Sequence, residues 1–290
     1  MKYSFRILQK KILILVIIGA ILIGYFLFRS LKEPELTDFP YDFKPHTYTM
    51  ILLSRLSQRK CTLLEFSAAW EICKCLGILS KEPTEVIFEE KMFELTNRLS
   101  PENFDNFKDK YNIIIIGTLE NDGLIKKVHE AVGVVGEVKD SDERYGLLEI
   151  FRNPWNPLRK ILIITGSDEI GVKIACDALI SGKELRGNRM VIKPEEKTIS
   201  GKIYLDRSLQ IFNWVIDFNE EPPLKIWRGV LKGEELIDKA KELINQGKEA
   251  RATVKGYLTT ICWTPYFHVG KFLLICQKAI LVTDYNFIED

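Results

Sequence analysis

The chain has no Asn-x-Ser/Thr sequon and no Gly-x-Ser-x-Gly elbow, so Asn-linked glycosylation by that rule is excluded, as is the usual strand-to-helix seat of a nucleophilic serine. It has only three histidines, His46, His129 and His268, which read as lying in a linker, on a helix flank and in a hairpin turn. None is paired in sequence with a nucleophile. The Gly166 to Gly171 spacing lacks the Lys-Ser/Thr that a phosphate loop needs after its second glycine. Cys73-Lys-Cys75 is no metal motif: residues two apart on a helix diverge by about 200°, and no second Cys or His pair follows at zinc spacing. With 41 basic and 40 acidic residues the formal net charge is +1, which supports no electrostatic case for nucleic acid. No catalytic residue, cofactor site or metal site is assigned on these grounds.

What the chain does have, first, is one long apolar run. Ile12 to Phe28 is broken only by Gly19 and Gly24, and its roughly 17 residues are just enough to cross a bilayer core. Lys2, Arg6, Lys10 and Lys11 precede it, while Arg29 and Lys32 after it are followed quickly by Glu33, Glu35 and Asp38, a flank that favours an N-terminus in the cytoplasm and the body outside. A cleaved signal peptide would end at small residues; here Tyr25-Phe26-Leu27-Phe28-Arg29 stand at that place, so an uncleaved single-span anchor is expected.

The remaining residues of the 290 suffice for one large or two medium domains. Residues 1–31 read as basic tail and anchor, and 32–46, with Pro34, Pro40 and Pro45, as an extended linker. An α/β domain is expected over 47–200 and a β-rich domain over 201–290. Within the first, Tyr48 to Leu53 reads as a strand, Leu63 to Leu79 as a helix and Glu85 to Phe88 as a further short strand. Ile113 to Ile116 and Ile161 to Ile164 are unbroken β-branched runs, the mark of strands buried on both faces. Each is followed by a helical pattern: Leu124, Ile125, Val128 and Val132 after the first, and Ile170, Ile174, Ala178 and Leu179 after the second. Ser167 is placed to cap the second helix and Gly182 to end it. Between them Gly146 to Phe151 reads as a strand and Asn153-Pro154-Trp155-Asn156-Pro157 as its turn.

Taken together, Ile113 to Gly117, Glu120, Asn121, Leu124, Ile125, the Asn153 to Pro157 turn, Ile161 to Asp168, Gly171, Ala175, Ala178 and Leu179 resemble the α/β module of archaeal S-layer proteins. They are also similar to accessory modules of some glycoside hydrolases and of the bacterial cellulose-synthase regulatory subunit. The likeness covers roughly a quarter of the chain. It implies an S-layer-like α/β sandwich with a mixed sheet, a scaffold without catalytic residues, and a place in the cell envelope. The lack of a sequon and an anchor at the N-terminal end depart from the bulk coat subunits of that family.

In the C-terminal part, Ile199 to Asp206, Phe212 to Phe218, Ala252 to Trp263, Lys271 to Cys276 and Ala279 to Tyr285 alternate as strands do, and Glu234 to Gln246 is an amphipathic helix stopped by Gly247. A five-stranded Greek-key barrel with an inserted helix is one arrangement that fits. Cys262 and Cys276 lie symmetrically about Val269, so in a hairpin they face each other; a disulfide and two reduced core cysteines both fit. Cys73 and Cys176 read as small buried hydrophobes. Glu120, Asn121, Ser167 and Asp168 stand at strand-to-helix turns where a ligand crevice can form, although helix capping explains them more simply. Trp155, Trp214, Trp227, Trp263, Tyr257 and Tyr266 read as core aromatics, with a carbohydrate-stacking surface as the alternative. The expected protein is thus a membrane-anchored, extracytoplasmic, non-enzymatic envelope or S-layer-associated component whose partners are the membrane and envelope proteins or glycans, not nucleic acid. The alternative is an accessory subunit of a membrane glycan-synthesis or glycan-processing complex.

Overall fold

The computed structural model describes residues 14–21, 24, 32–43, 49–53, 62–77, 104–106, 108–118, 123–134, 143–182, 184–206, 214–218, 223–227, 230–263 and 275–288. The expected strand at Glu85 to Phe88, the hairpin turn around Val269, His46, His268, Glu120 and Asn121 lie outside them. So does half of the Ile12 to Phe28 run. Ile14 to Ile21 is helical and its isoleucines, leucine and valine are 49–69% exposed. Among the described residues no helix is long and apolar enough to cross a membrane.

The first sheet has five strands: β1 (Thr49–Leu53), β2 (Asn112–Ile116), β3 (Gly146–Arg152), β4 (Lys160–Gly166) and β5 (Arg189–Ile192), in the order β1-β2-β4-β3-β5. β1, β2 and β4 run parallel, while β3 is antiparallel to both β4 and β5. Side chains alternate between faces along a strand, so an all-isoleucine strand demands cover on both. Ile114, Ile116, Leu162 and Ile164 pack with helices α1 (Leu63–Cys75) and α3 (Glu169–Ser181). Ile113, Ile115, Ile161 and Ile163 pack on the opposite side against Phe104 and helix α2 (Gly123–Val132). The result is a helix–sheet–helix sandwich. Thr62 and Glu65 form a capping box at the start of α1, which stops at Cys75, short of the expected Leu79, before Gly77 turns the chain at φ +72°.

Residues 32–43 are not the extended linker that their prolines suggest, but part of the folded body. Two 3-10 turns, Leu36–Asp38 and Tyr41–Phe43, seat Leu36, Phe39 and Phe43 in the same core as α1 and α3. Polar contacts hold the segment to one end of the sheet. Lys160 Nζ, at the start of β4, pairs with Asp38 Oδ2 at 2.9 Å and with Asp42. Asn112 Nδ2 donates to Asp42 O at 2.9 Å, and Arg152, at the end of β3, donates to Lys32 O at 2.6 Å. Burial raises the Asp38 pKa, but the Glu35 N–H and the Lys160 ammonium outweigh it and hold the carboxyl below its usual range. Its contribution to stability is therefore present at neutral pH and lost as the carboxyl protonates in acid.

The second sheet is a closed barrel of β6 (Lys197–Leu205), β7 (Trp214–Asp217), β8 (Leu224–Ile226), β9 (Arg251–Trp263) and β10 (Ile275–Phe287), ordered β10-β8-β7-β6-β9. β6 pairs with β9 from Lys197 onward, so the barrel begins a few residues before the expected boundary at 201. β6, β7 and β8 are successive antiparallel neighbours; β10 runs parallel to β8 and antiparallel to β9. Helix α4 (Leu231–Asn245) lies between β8 and β9 in the chain. This is the connectivity of the OB class of Greek-key barrels. Ile203, Trp214, Ile216, Ala252, Val254, Ile280 and Val282 share one core with Leu236, Ile237 and Ala240 of α4, so the helix closes that core. β10 continues through Gln277-Lys278, which the sequence pattern had divided into two runs.

Cys262 and Cys276 are register partners in β9 and β10, with Cα atoms 4.1 Å apart, and are joined by a disulfide. Mass measurement of the unfolded chain is expected to show two more alkyl groups after reduction than before; an unchanged count would remove the bond.

Candidate functional site

The sequence placed its candidate crevice at the C-terminal ends of β2 and β4. Of its residues, Ser167 and Asp168 are described, and both serve the fold. The cap of α3 is Asp168 rather than Ser167, because the Asp168 carboxylate reaches the Gly171 N–H at 2.8 Å. Its other oxygen accepts from Arg144 Nε at 2.6 Å, and Arg144 in turn lies over the Tyr257 ring, 5.4 Å from its centroid. Ser167 Oγ accepts from the Tyr145 N–H at 3.1 Å. These contacts splice β4 to α3 and α3 to the barrel.

A second set of groups meets at a place that no motif or spacing marks. Leu64 of α1, Ile170 and Ile174 of α3, and Tyr257, Ile261, Ala279 and Leu281 of the barrel form one apolar seam with Trp227. Beside it Lys173, fully buried on α3, is bound by Glu71 Oε2 of α1 at 3.1 Å and by Asp177 on its own helix. Ser67 donates to Glu71 Oε1 at 3.0 Å and accepts from the Cys262 N–H at 2.9 Å. Thr259 of β9 donates to Asp177 Oδ2 at 2.6 Å. Burying a large aliphatic or aromatic side chain contributes about 1.5–3 kcal/mol, whereas a buried ion cluster is near break-even after desolvation. The apolar seam therefore stabilises the joint, and the ion cluster fixes its register.

One ammonium faces two carboxylates here. Asp177 makes the closer contact with Lys173, so the more deeply buried Glu71 is the surplus acid. Burial raises its pKa from 4.5 to about 7, the Lys173 charge opposing and the Asp177 charge assisting. Burial lowers Lys173, but Asp177 and Glu71 outweigh it and its pKa stays above the usual value. The Glu71 carboxyl is held protonated in the fold beyond the pH at which the unfolded chain loses the proton, so stability from this group falls as pH rises from 4.5 to about 7. Replacing Glu71 with Gln is expected to flatten that part of the stability-versus-pH curve, read by thermal denaturation; an unchanged slope would sink the assignment.

A cleft of about 660 Å³ opens onto this joint, lined by Glu71, Asp177, Lys74, Lys278, Leu258 and Thr260 among others. Cys75 and the Cys262–Cys276 disulfide also border it, and Lys74 Nζ lies 3.7 Å from Cys276 Sγ. Burial raises the Cys75 pKa and pushes Cys73 up to about 12, with Cys176 well above its usual value too, so these thiols are not poised as thiolates. The cleft has hydroxyls, charged rims and an apolar floor suited to binding; its two carboxylates are already committed to one lysine.

On the opposite helix layer, Glu149 of β3 is fully buried, with His129 Nε2 of α2 at 2.7 Å from Oε2 and Arg189 Nε of β5 at 3.1 Å from Oε1. The Arg189 contact is an ion pair without hydrogen-bond alignment. This triad ties α2 to the sheet edge, and no thiol or hydroxyl nucleophile is found bonded to His129 among the described residues. Trp214, Trp227 and Tyr257 are at most 8% exposed and so are core aromatics, not a stacking platform. Among the described residues no cluster of His, Cys, Asp or Glu could hold a metal ion. No protein-family model matches this chain, and no curated protein matches it significantly.

Proposed function

We propose that this is a membrane-anchored, extracytoplasmic, non-enzymatic envelope component, with an S-layer-like α/β domain carrying a β-barrel. The observation that carries the reading is the N-terminal apolar run. Its described residues Ile14 to Ile21 are helical and present isoleucine, leucine and valine on every side without packing against the body. A helix apolar all round belongs in a protein core or in lipid. The disulfide supports an oxidising exterior for the body. Protease treatment of sealed vesicles of known orientation, followed by a blot for the C-terminus, tests it. Digestion from the outer face is expected; protection with the outer face intact overturns the topology.

The cleft at the joint favours a second reading, an accessory subunit that holds a glycan for a membrane complex. Trp227 is too deeply buried to probe this. Leu258 is 46% exposed at the cleft, so Leu258→Asp is the informative change. Glycan affinity that this substitution abolishes, without a shift in melting temperature, would favour the second reading. Turnover by the purified protein on a glycan or peptide panel would overturn both.

A further inference from the structure

The contacts that hold residues 32–43 determine which end of the body stands next to the anchor. Lys32 O is fixed to Arg152, and the apolar run ends at Phe28. Four residues extend at most about 14 Å. The end of the sheet that carries Arg152, Lys160 and Asn112 therefore lies within that distance plus one hydrogen bond and the length of an arginine side chain of the end of the run. The loops at the other end of the strands, after Ile116 and Gly166, are a strand length further off, about 20 Å.

The near end has the side chains of an interfacial surface. Leu158, in the turn between β3 and β4, is 81% exposed, and Tyr41 is 67% exposed. Each alone is unremarkable on a soluble surface. Both lie at the sheet end that holds Lys32, and the turn that presents Leu158 is tied down by hydrogen bonds. Asn153 Nδ2 donates to Lys108 O at 2.5 Å, Asn156 Nδ2 donates to Asp109 O at 2.7 Å, and Asn153 N donates to Arg159 O at 2.9 Å. Trp155 is half-buried beneath it, edge-on to Phe104 at 5.3 Å with Lys108 Nζ 5.1 Å from its ring. Lys32 and Lys110 are exposed at the same end. Tyrosine and tryptophan beside lysine are the side chains that settle at the headgroup level, an apolar body below and a polar tip above.

We propose that this end of the α/β domain, with Tyr41 and the Asn153 to Arg159 turn, lies against the headgroup layer of the membrane that receives the N-terminal helix. The partner is the lipid surface itself. The body is then held in one orientation: the strand ends after Ile116 and Gly166 point away from the bilayer. This rests on the anchored reading above, and the experiment separates the two.

The full chain is reconstituted into phospholipid vesicles with a photoreactive benzoylphenylalanine placed singly at Ile17, Tyr41, Leu158 or Lys248, the last an exposed position in the turn after α4. Lipid adducts are expected at Ile17, Tyr41 and Leu158, with their loss at Lys248. Adducts at Ile17 but none at Tyr41 and Leu158 overturn the membrane-facing end and leave the anchor standing. No adduct at Ile17 overturns the anchored reading, and this inference with it. Equal adducts at Leu158 and Lys248 overturn it too, because the contact would then be unspecific. Leu158→Asp keeps the comparison independent of the label. It is expected to leave the melting temperature unchanged and to abolish the protection from amide exchange that vesicles give the turn; undiminished protection counts against the proposal.

Discussion

Lys173→Met is expected to lower stability by about 3–5 kcal/mol, because it strands the buried Glu71 and the half-buried Asp177, which share one ammonium. For a chain of this size that is a fall in melting temperature of roughly 10 °C. Methionine fills nearly the same space, so packing loss is small and the deficit reports charge. Glu71 can relieve the strain by taking up a proton, since burial already places its pKa at about 7. The deficit should therefore be larger at about pH 8 than at about pH 5.5. Adding Glu71→Gln should restore part of the loss, a coupling that the double-mutant cycle measures directly. Equal deficits at both pH values, with no coupling, would mean that Lys173 is a packing residue and the cluster does not set the joint.

Gly171→Ala tests a different kind of contact. Gly146 of β3 and Gly166 of β4 are register partners, and the first turn of α3 crosses them. A Cβ on Gly171 would stand 2.1 Å from Tyr145 O, while one on Gly166 would meet the Gly171 carbonyl carbon at 2.5 Å. Backbone cannot yield as a side-chain tip can, so α3 must move as a body, taking Lys173, Cys176 and Leu179 out of register. A loss of about 3 kcal/mol or more is expected, at the upper end of overpacking costs. Gly182→Ala supplies the contrast: its added Cβ meets nothing within 4 Å, and only its φ of +63° is strained, so it should cost about 1–2 kcal/mol. If the two substitutions cost the same, close approach is not what keeps Gly171.

What could be read from the residues depended on whether the deciding interaction was local. The isoleucine runs of β2 and β4 declare themselves, because burial on two faces needs an unbroken apolar stretch, and theirs are short, β-branched and each followed by a helical pattern. β5 and β8 did not, being four and three residues long; β5 alternates exposed and half-buried positions at a sheet edge. The cap shifted from Ser167 to Asp168 because both side chains suit the role, and only the approach of Gly171 N–H selects between them. Lys173 was invisible as a core residue. With Asp177 one turn later it reads as an exposed helical pair, and the acid that buries it, Glu71, is 102 residues away. In the same way Leu36, Phe39 and Phe43 are too sparse among prolines and charges to announce a core contribution. Their anchoring partners, Lys160, Asn112 and Arg152, come from three different strands.

That fastening also decides how the molecule carries force. A pull on the N-terminal side enters the sheet directly at Lys32 through Arg152, and a pull on the C-terminal side enters through β10, which is zipped to β9 along its length. Both points of attack lie in hydrogen-bonded structure. Tension between them runs from β3 through β5 and residues 193–196 into β6 and across the β6–β9 ladder, and the seam where α1 and α3 meet β9, keyed by Lys173, shares the load beside that path.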